Sequence, residues 1–363
     1  TATLTHRAPG PDAYELGRWG EATALPIASA DPVLLPSRML EWDRTFTTVA
    51  AGGDTAYAVR SDGTLWAWGD DEFGQLGLGD RFDPYAAVDQ VGTATDWAAV
   101  VAQGSYTLGL KTDGSLWGWG ANVTGELGGG GGQAYDEPIR VGPHSDWIQV
   151  TAGDRVAAGI RADGSLWTWG GYGPALGRGG SPEWGGEPRQ VGTDRWLQVS
   201  AGAEHVIALR ADGTLWGWGQ NWYGEVDPSL APRSTPVQLG LPEQRWRFVE
   251  AARWATFAIR EDGSLWAWGA NVGGALGTGG MADRTQPTQV GTASTWTVVS
   301  ADQSVTVGLQ SDRSLWTWGF NSYGEVGVGN TVPVTVPTRL HVGSLTWQAV
   351  SAGATTVLVL RAP

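Results

Sequence analysis

Apolar and polar positions alternate along this chain in one short pattern that keeps returning. In "WLQVSAG" and "VIALR", from Trp196 and Val206, β-branched and apolar residues fill brief runs bounded by glycine or charge, which predicts two strands. "ADGT" follows, and its Asp-Gly pair suits a tight hairpin, where glycine supplies the positive φ that a two-residue loop needs. "LWGWG" then sets apolar residues at strand period, and a glycine-rich loop leads to "TPVQLG" as a fourth strand. The alanine and leucine patterning of helices is sparse, which excludes a helical solenoid of similar period.

The segment Asp-Gly-Ser/Thr-Leu-Trp-x-Trp-Gly begins at Asp62, Asp113, Asp163, Asp212 and Asp262, and at Asp312 with Arg313 in the glycine place. Successive copies lie 49–51 residues apart. A degenerate copy, "LGRWG" from Leu16, sits one period before Leu65. The tryptophan-led strand recurs in step, at Trp42, Trp97, Trp147, Trp196, Trp246, Trp296 and Trp347. Four strands per period, repeated radially, predict an all-β fold, a seven-bladed β-propeller of four-stranded blades. The last repeat lacks its Trp-x-Trp-Gly segment, while the chain opens with one that lacks its partner. Pairing the N-terminal and C-terminal segments in one blade closes the ring and removes an open sheet edge. The expected division is an N-terminal tail over 1–13 and a single propeller domain over 14–363.

Composition sharpens this picture at one residue type, with 23 tryptophans in 363 residues. Twenty hold repeat positions, where indole fills the wedge-shaped gaps between blades; burying one aromatic is worth roughly 4–6 kcal/mol. Trp184, Trp222 and Trp254 fall outside the repeat and are the informative ones. The formal net charge of −14, with Lys111 the only lysine, argues against nucleic acid as a partner, because phosphate backbones would be repelled. No apolar run is long enough to cross a bilayer, and no basic amphipathic segment points to a membrane partner. Cysteine is absent, which excludes disulfides, thiolate metal sites and cysteine nucleophiles. Arginine greatly outnumbers lysine, which fits a G+C-rich bacterial genome. The chain begins at Thr1 with neither a methionine nor a signal peptide, so a processed or trimmed form is expected, with a secreted location favoured over a cytoplasmic one.

The repeat "SAGAEHVIALRADGTLWGWGQNWYGEV" and loops such as "DDEFGQLGLGD" resemble the regulator of chromosome condensation repeat family, from about Tyr14 onward. The resemblance implies a seven-bladed propeller that binds another macromolecule through one face. Family members often carry His after the Ala-Gly loop; here only His205 does, with Thr55, Tyr106, Val156, Ala255, Val305 and Thr356 at the equivalent positions. The chain also lacks the basic elements of the chromatin-bound members.

Strand direction alternates within a blade, so the loops after the first and third strands share one face and the Asp-Gly hairpins occupy the other. The hairpin face is nearly uniform in sequence, and the opposite face is not. Its departures are Asp54, Tyr106, Arg155, Glu204, His205, Arg253, Trp254 and Asp302 after first strands, with Trp184 and Trp222 after third strands. Glu250 stands near the channel where other copies carry Ala, Val, Thr or Ser, and it is expected to pair with Arg253. Exposed Trp, Tyr and Arg are enriched at binding hot spots. The propeller-type β-lactamase inhibitory proteins resemble this arrangement, which implies a protein-docking role.

The expected function is a non-catalytic binding propeller, monomeric, capturing a protein or other large ligand on the variable face, with no cofactor and no metal. One alternative is an enzyme, with His205, Arg155, Glu250 and Asp302 converging on an acid–base site at the channel mouth. No zinc, phosphate-loop or nucleophile-elbow motif accompanies them, and the glycine run Gly128 to Gly132 lacks a phosphate-loop lysine. A second alternative is a tryptophan-based ultraviolet-B photoreceptor, as in the family's plant sensor, although "ARWATF" is a single copy with Arg and Trp interchanged.

Overall fold

A computed structural model of the chain describes residues 16–20, 33–38, 46–79, 86–171, 173–179, 185–340, 345–354 and 356–362. The expected tail over 1–13 and Trp184 lie outside them. The described strands form four-stranded antiparallel sheets. Blade 1 runs Phe46–Gly52, Thr55–Arg60, Leu65–Gly69 and Ala86–Gln90, from the inside outward. Equivalent sets of four occupy 97–140 (blade 2), 147–190 (blade 3), 196–239 (blade 4), 246–289 (blade 5) and 296–339 (blade 6). The expected seven thus resolve into six blades of consecutive strands and one composite sheet. In that sheet Trp347–Ala352 and Thr356–Arg361 pair with Leu16–Gly20, and Val33–Arg38 adds the outer edge.

The repeat tryptophans divide the labour. The first of each Trp-x-Trp pair lies along its own hairpin: Trp216 donates its indole N–H to Thr214 at 2.8 Å, and Trp266 to Ser264 at 2.9 Å. In blades 1 to 5 a cation from the preceding strand covers its ring, with Lys111 4.5 Å from the Trp117 ring and Arg260 3.7 Å from that of Trp266. The second tryptophan is fully buried, and in blades 3 to 6 it bonds the preceding blade: Trp218 donates to the Ala175 carbonyl and Trp268 to the Glu225 carbonyl, at 2.8 and 2.9 Å. Inner-strand tryptophans pack edge-on against both, as Trp296 does with Trp316 and Trp318. Apolar clusters therefore lie between neighbouring blades, and Leu358 and Leu360 of the composite sheet join Phe46, Val49 and Trp68 of blade 1.

A second set of contacts passes around the central channel. A hydroxyl near the end of one inner strand accepts the backbone N–H of the next blade: Thr151 from Ala201, Ser200 from Ala251, Ser300 from Ala352 and Ser351 from Ala51, at 2.9–3.1 Å. Ala50 and Val101 lack the hydroxyl, and those two seams are fastened by buried tyrosines instead. Tyr57 reaches Thr107 Oγ1 at 2.8 Å, and Tyr106 donates to the Gly153 carbonyl at 2.8 Å. At the hairpins, Asp-Gly behaves as expected, with Gly213 at φ 80°. Arg313, in the glycine place, is held at φ 60°, a conformation that costs a side-chain-bearing residue free energy.

Candidate functional site

The loops after the third strands share one internal scaffold. In blade 4, Asn221 is buried and its side-chain carbonyl accepts the Val226 N–H at 2.9 Å; Asn271 and Asn321 do the same for Leu276 and Val326. Four residues further, the Glu225 carboxylate accepts the backbone N–H groups of Trp222 and Tyr223, at 3.2 and 2.7 Å. Glu325 holds Tyr323 in the same way, at 2.9 Å, and Gln75 holds Phe73 at 2.7 Å. These bonds fix the loop backbone, so that Phe73, Val123, Trp222, Tyr223, Val272 and Tyr323 stand exposed around the rim. Trp222 is 54% exposed, far more than any repeat indole needs to be.

Tyr223 leans on Trp254 with ring centroids 6.1 Å apart. That contact joins a third-strand loop of blade 4 to the first-strand loop of blade 5, so Trp222 and Trp254 share a face. The Arg253 guanidinium stands 5.0 Å from the Trp254 ring. It does not meet Glu250, the expected partner. It reaches past blade 4 to Asp154 on blade 3, at 3.0 Å, and to Gln303 at 3.3 Å. Asp154 also accepts from Gln103 at 2.7 Å, which makes it the hub of the channel mouth. Arg155 is mostly exposed and pairs with Glu204 at 3.6 Å. Burial lifts the Glu204 carboxyl above its ordinary range, with Arg155 opposing the shift.

Asp302 faces the same space. Burial pushes its pKa up to about 6, helped by the charges of Asp154 and Asp54 and opposed by Arg253. Glu250 occupies the place of the hydroxyls in the channel ring and takes the Ala301 N–H, with Ser300 and Ser200 beside it. Burial pushes its pKa up to about 8. Between the unfolded value near 4.5 and about 8, the folded protein therefore holds a proton that the unfolded chain releases. This contribution to stability is fully present below the lower limit and is lost as pH rises through the upper one. Glu250→Gln keeps the acceptor without the titration. It should match the native protein in urea melts at pH 5 and exceed it by about 1–3 kcal/mol at pH 9. An equal difference at both pH values would contradict this.

Two expected site residues do not reach the rim. Tyr106, 2% exposed, fastens blade 2 to blade 3 as described above. His205, 1% exposed, lies between blades with Nε2 3.3 Å from Thr256 Oγ1, and burial depresses its pKa to about 3. Both begin a second strand, and that position points inward. The opposite face also differs from the uniformity expected of it. Ile148 and Leu197 are exposed there beside Trp246 and Arg247, around a cavity of about 670 Å3. Phe73, Tyr223 and Tyr323 are rim residues that the repeat reading passed over. The available signal was an apolar residue in one of the two places before the loop glycine, blade after blade.

Residues 10–359 match the family described as the RCC1-like domain. The chain belongs to the RCC1-like domain family. It is 31% identical over 105 residues to the human probable E3 ubiquitin-protein ligase HERC3, a stretch covering 28% of this chain and 10% of the relative. It is 31% identical over 120 residues to the Arabidopsis thaliana ultraviolet-B receptor UVR8, 32% of this chain and 27% of the relative. The matched stretches are thus a minor part of those proteins. Among solved structures, yeast RCC1 (Prp20) bound to Kap60 superposes with a TM-score of 0.83 at 20% identity, covering 96% of this chain and 88% of that one. That likeness concerns the fold. RCC1-like propellers carry differing roles, so the role of this one is argued from its own face.

Proposed function

We propose that this chain is a non-catalytic interaction propeller, seven-bladed when the composite sheet is counted, that captures a protein partner through the face bearing the first- and third-strand loops. The observation that carries this reading is the exposed aromatic rim on pre-ordered loops, centred on Trp222 and Tyr223, with half-buried Trp254 packed against Tyr223. Contiguous exposed apolar surface rimmed by polar groups marks interaction sites, and rigid aromatics dock at low entropic cost. The acid–base alternative needs His205 at the mouth, whereas its imidazole is buried and neutral. The photoreceptor alternative needs clustered sensing tryptophans, whereas the aromatic neighbour of Trp254 among the described residues is Tyr223.

Affinity capture from the native source tests this reading, with the native protein, Trp254→Ala and Arg155→Ala run side by side. Each substitution should reduce recovery of the partner at least tenfold, a loss of about 1.4 kcal/mol or more. Melting temperatures should stay within about 3 °C, because Arg155 is mostly exposed and Trp254 half-buried, outside the apolar clusters between blades. Early melting of both variants, or undiminished capture, would remove this face from the account.

A further inference from the structure

The loops after the third strands continue beyond the aromatic rim, and in blades 4, 5 and 6 their later halves carry a second set of apolar side chains. Leu230, Met281 and Val332 are 49%, 57% and 65% exposed. The buried asparagines that hold the rim fix this part as well. Asn221 Nδ2 donates to the Ala231 carbonyl at 3.3 Å, Asn271 Nδ2 to the Gly280 and Ala282 carbonyls at 2.9 and 3.0 Å, and Asn321 Nδ2 to the Val332 carbonyl at 3.0 Å. Each apolar side chain therefore stands at or beside a pinned carbonyl. Blades 1 and 2 lack the arrangement. Asp71 takes the asparagine place in blade 1, and a carboxyl group has no N–H to donate. Asn122 of blade 2 binds the Gly130 carbonyl inside a glycine run that bears no side chains. More than half of the large apolar side chains exposed among the described residues stand on the loops of blades 4 to 6, so they are gathered and not scattered.

We infer that the partner meets this arc with an uncharged surface of aliphatic and aromatic side chains, and that its footprint takes in Leu230, Met281 and Val332 together with Trp222 and Tyr323. This rests on the docking face proposed above and names the sector used and the chemistry of what docks there. Leu230 carries a mark of its own. Its φ is 58°, a left-handed conformation that costs a side-chain-bearing residue free energy and that glycine would adopt without that cost. Half exposed, the leucine gains little burial within the protein to offset the strain. The charges of the three loops are meanwhile settled among themselves. Glu225 and Glu325 are buried beneath the backbone N–H groups they accept. Asp227 pairs with Arg233 at 2.7 Å, and Asp283 accepts the Asn271 N–H at 2.8 Å with Arg284 next to it in the chain. In a chain of net charge −14, this arc is thus apolar with its few exposed charges in balance. A charged group from the partner would lose its water here without gaining a counter-ion, whereas an apolar one loses nothing.

Three capped hexapeptides, of leucine alternating with glutamine, arginine or glutamate, test this by titration calorimetry against the intact protein. The glutamine peptide should bind about tenfold more tightly than either charged one, and its affinity should change less than about twofold between roughly 0.05 and 0.5 M salt. Met281→Asp should weaken it about fivefold or more, whereas Leu241→Asp, at an exposed leucine on the hairpin face, should not. Leu230→Gly should weaken it about threefold while keeping or raising the melting temperature, since glycine removes the strain with the side chain. Thermal melts identify any misfolded variant, and Leu230→Gly keeps the test open if Met281→Asp fails to fold. Tighter binding of a charged peptide, no binding of the glutamine peptide, or an equal loss from Leu241→Asp would overturn the assignment. A lower melting temperature for Leu230→Gly with unchanged binding would make that leucine part of the scaffold and remove it from the footprint. If Trp222→Ala weakens the glutamine peptide while Met281→Asp and Leu230→Gly do not, the docking face stands and its extension over the arc falls. If none of the three changes it, the docking face falls too.

Discussion

Removal of residues 1–40 should lower the melting temperature by about 5–10 °C and drive the protein into oligomers. Leu16–Gly20 pairs along its whole length with the last strand, from Leu16 opposite Leu360 to Gly20 opposite Thr356. Val33–Arg38 then covers its outer edge. Without them, Thr356–Arg361 becomes a bare edge whose N–H and C=O groups are free to pair with another chain. At about 1 kcal/mol per lost backbone bond, five paired residues represent roughly 5 kcal/mol, and each kcal/mol shifts a domain of this size by about 1–2 °C. Leu358 and Leu360 belong to the apolar cluster that joins the composite sheet to blade 1, so the damage reaches the seam on both sides. Scanning calorimetry with light scattering reads both effects. An unshifted, monomeric transition would mean that the ring is not held shut by these strands.

The second large effect concerns one methyl group. Gly153 ends the inner strand of blade 3 where the backbone of blade 4 comes closest, and a Cβ there would stand 1.9 Å from the Gly202 carbonyl oxygen. Backbone on both sides leaves no flexible group to yield. Gly153→Ala should therefore cost about 3 kcal/mol or more in chemical denaturation, at the upper end of overpacking penalties. Blade 5 carries Ala252 at the equivalent position, buried and accommodated. Ala252→Gly should cost at most about 1 kcal/mol, the ordinary entropic effect of glycine. Comparable losses in the two variants would show that the spacing between blades is not what glycine serves here.

Most of the ring was legible because each strand repeats its own chemistry. The fifty-residue period, the Asp-Gly hairpins and the Trp-x-Trp-Gly strands each follow from local sequence, and the unmatched ends pointed to the composite sheet. The candidate site was legible in part, through departures from the repeat. Asp54, Arg155, Glu204, Arg253 and Asp302 do gather around the mouth. Their pairings were not legible, since Arg253 meets Asp154 across the channel, about a hundred residues away along the chain. Proximity along the strand suggested Glu250, which instead extends the ring of hydroxyls. Tyr106 and His205 were misjudged because a variable residue at a strand start resembles a loop residue when side-chain direction is unknown. The rim aromatics were hidden for the opposite reason: they sit in register, where a repeat seems to explain them already.

The seams of this circle are not all fastened alike, and that difference bears on how it can come into being. Phenols buried between blades 1 and 2 and between blades 2 and 3 tie neighbours that leave the ribosome one after another. Those joints ask nothing of the far end of the polypeptide. A growing arc can therefore set from its early blades, long before the final strands arrive to meet the first.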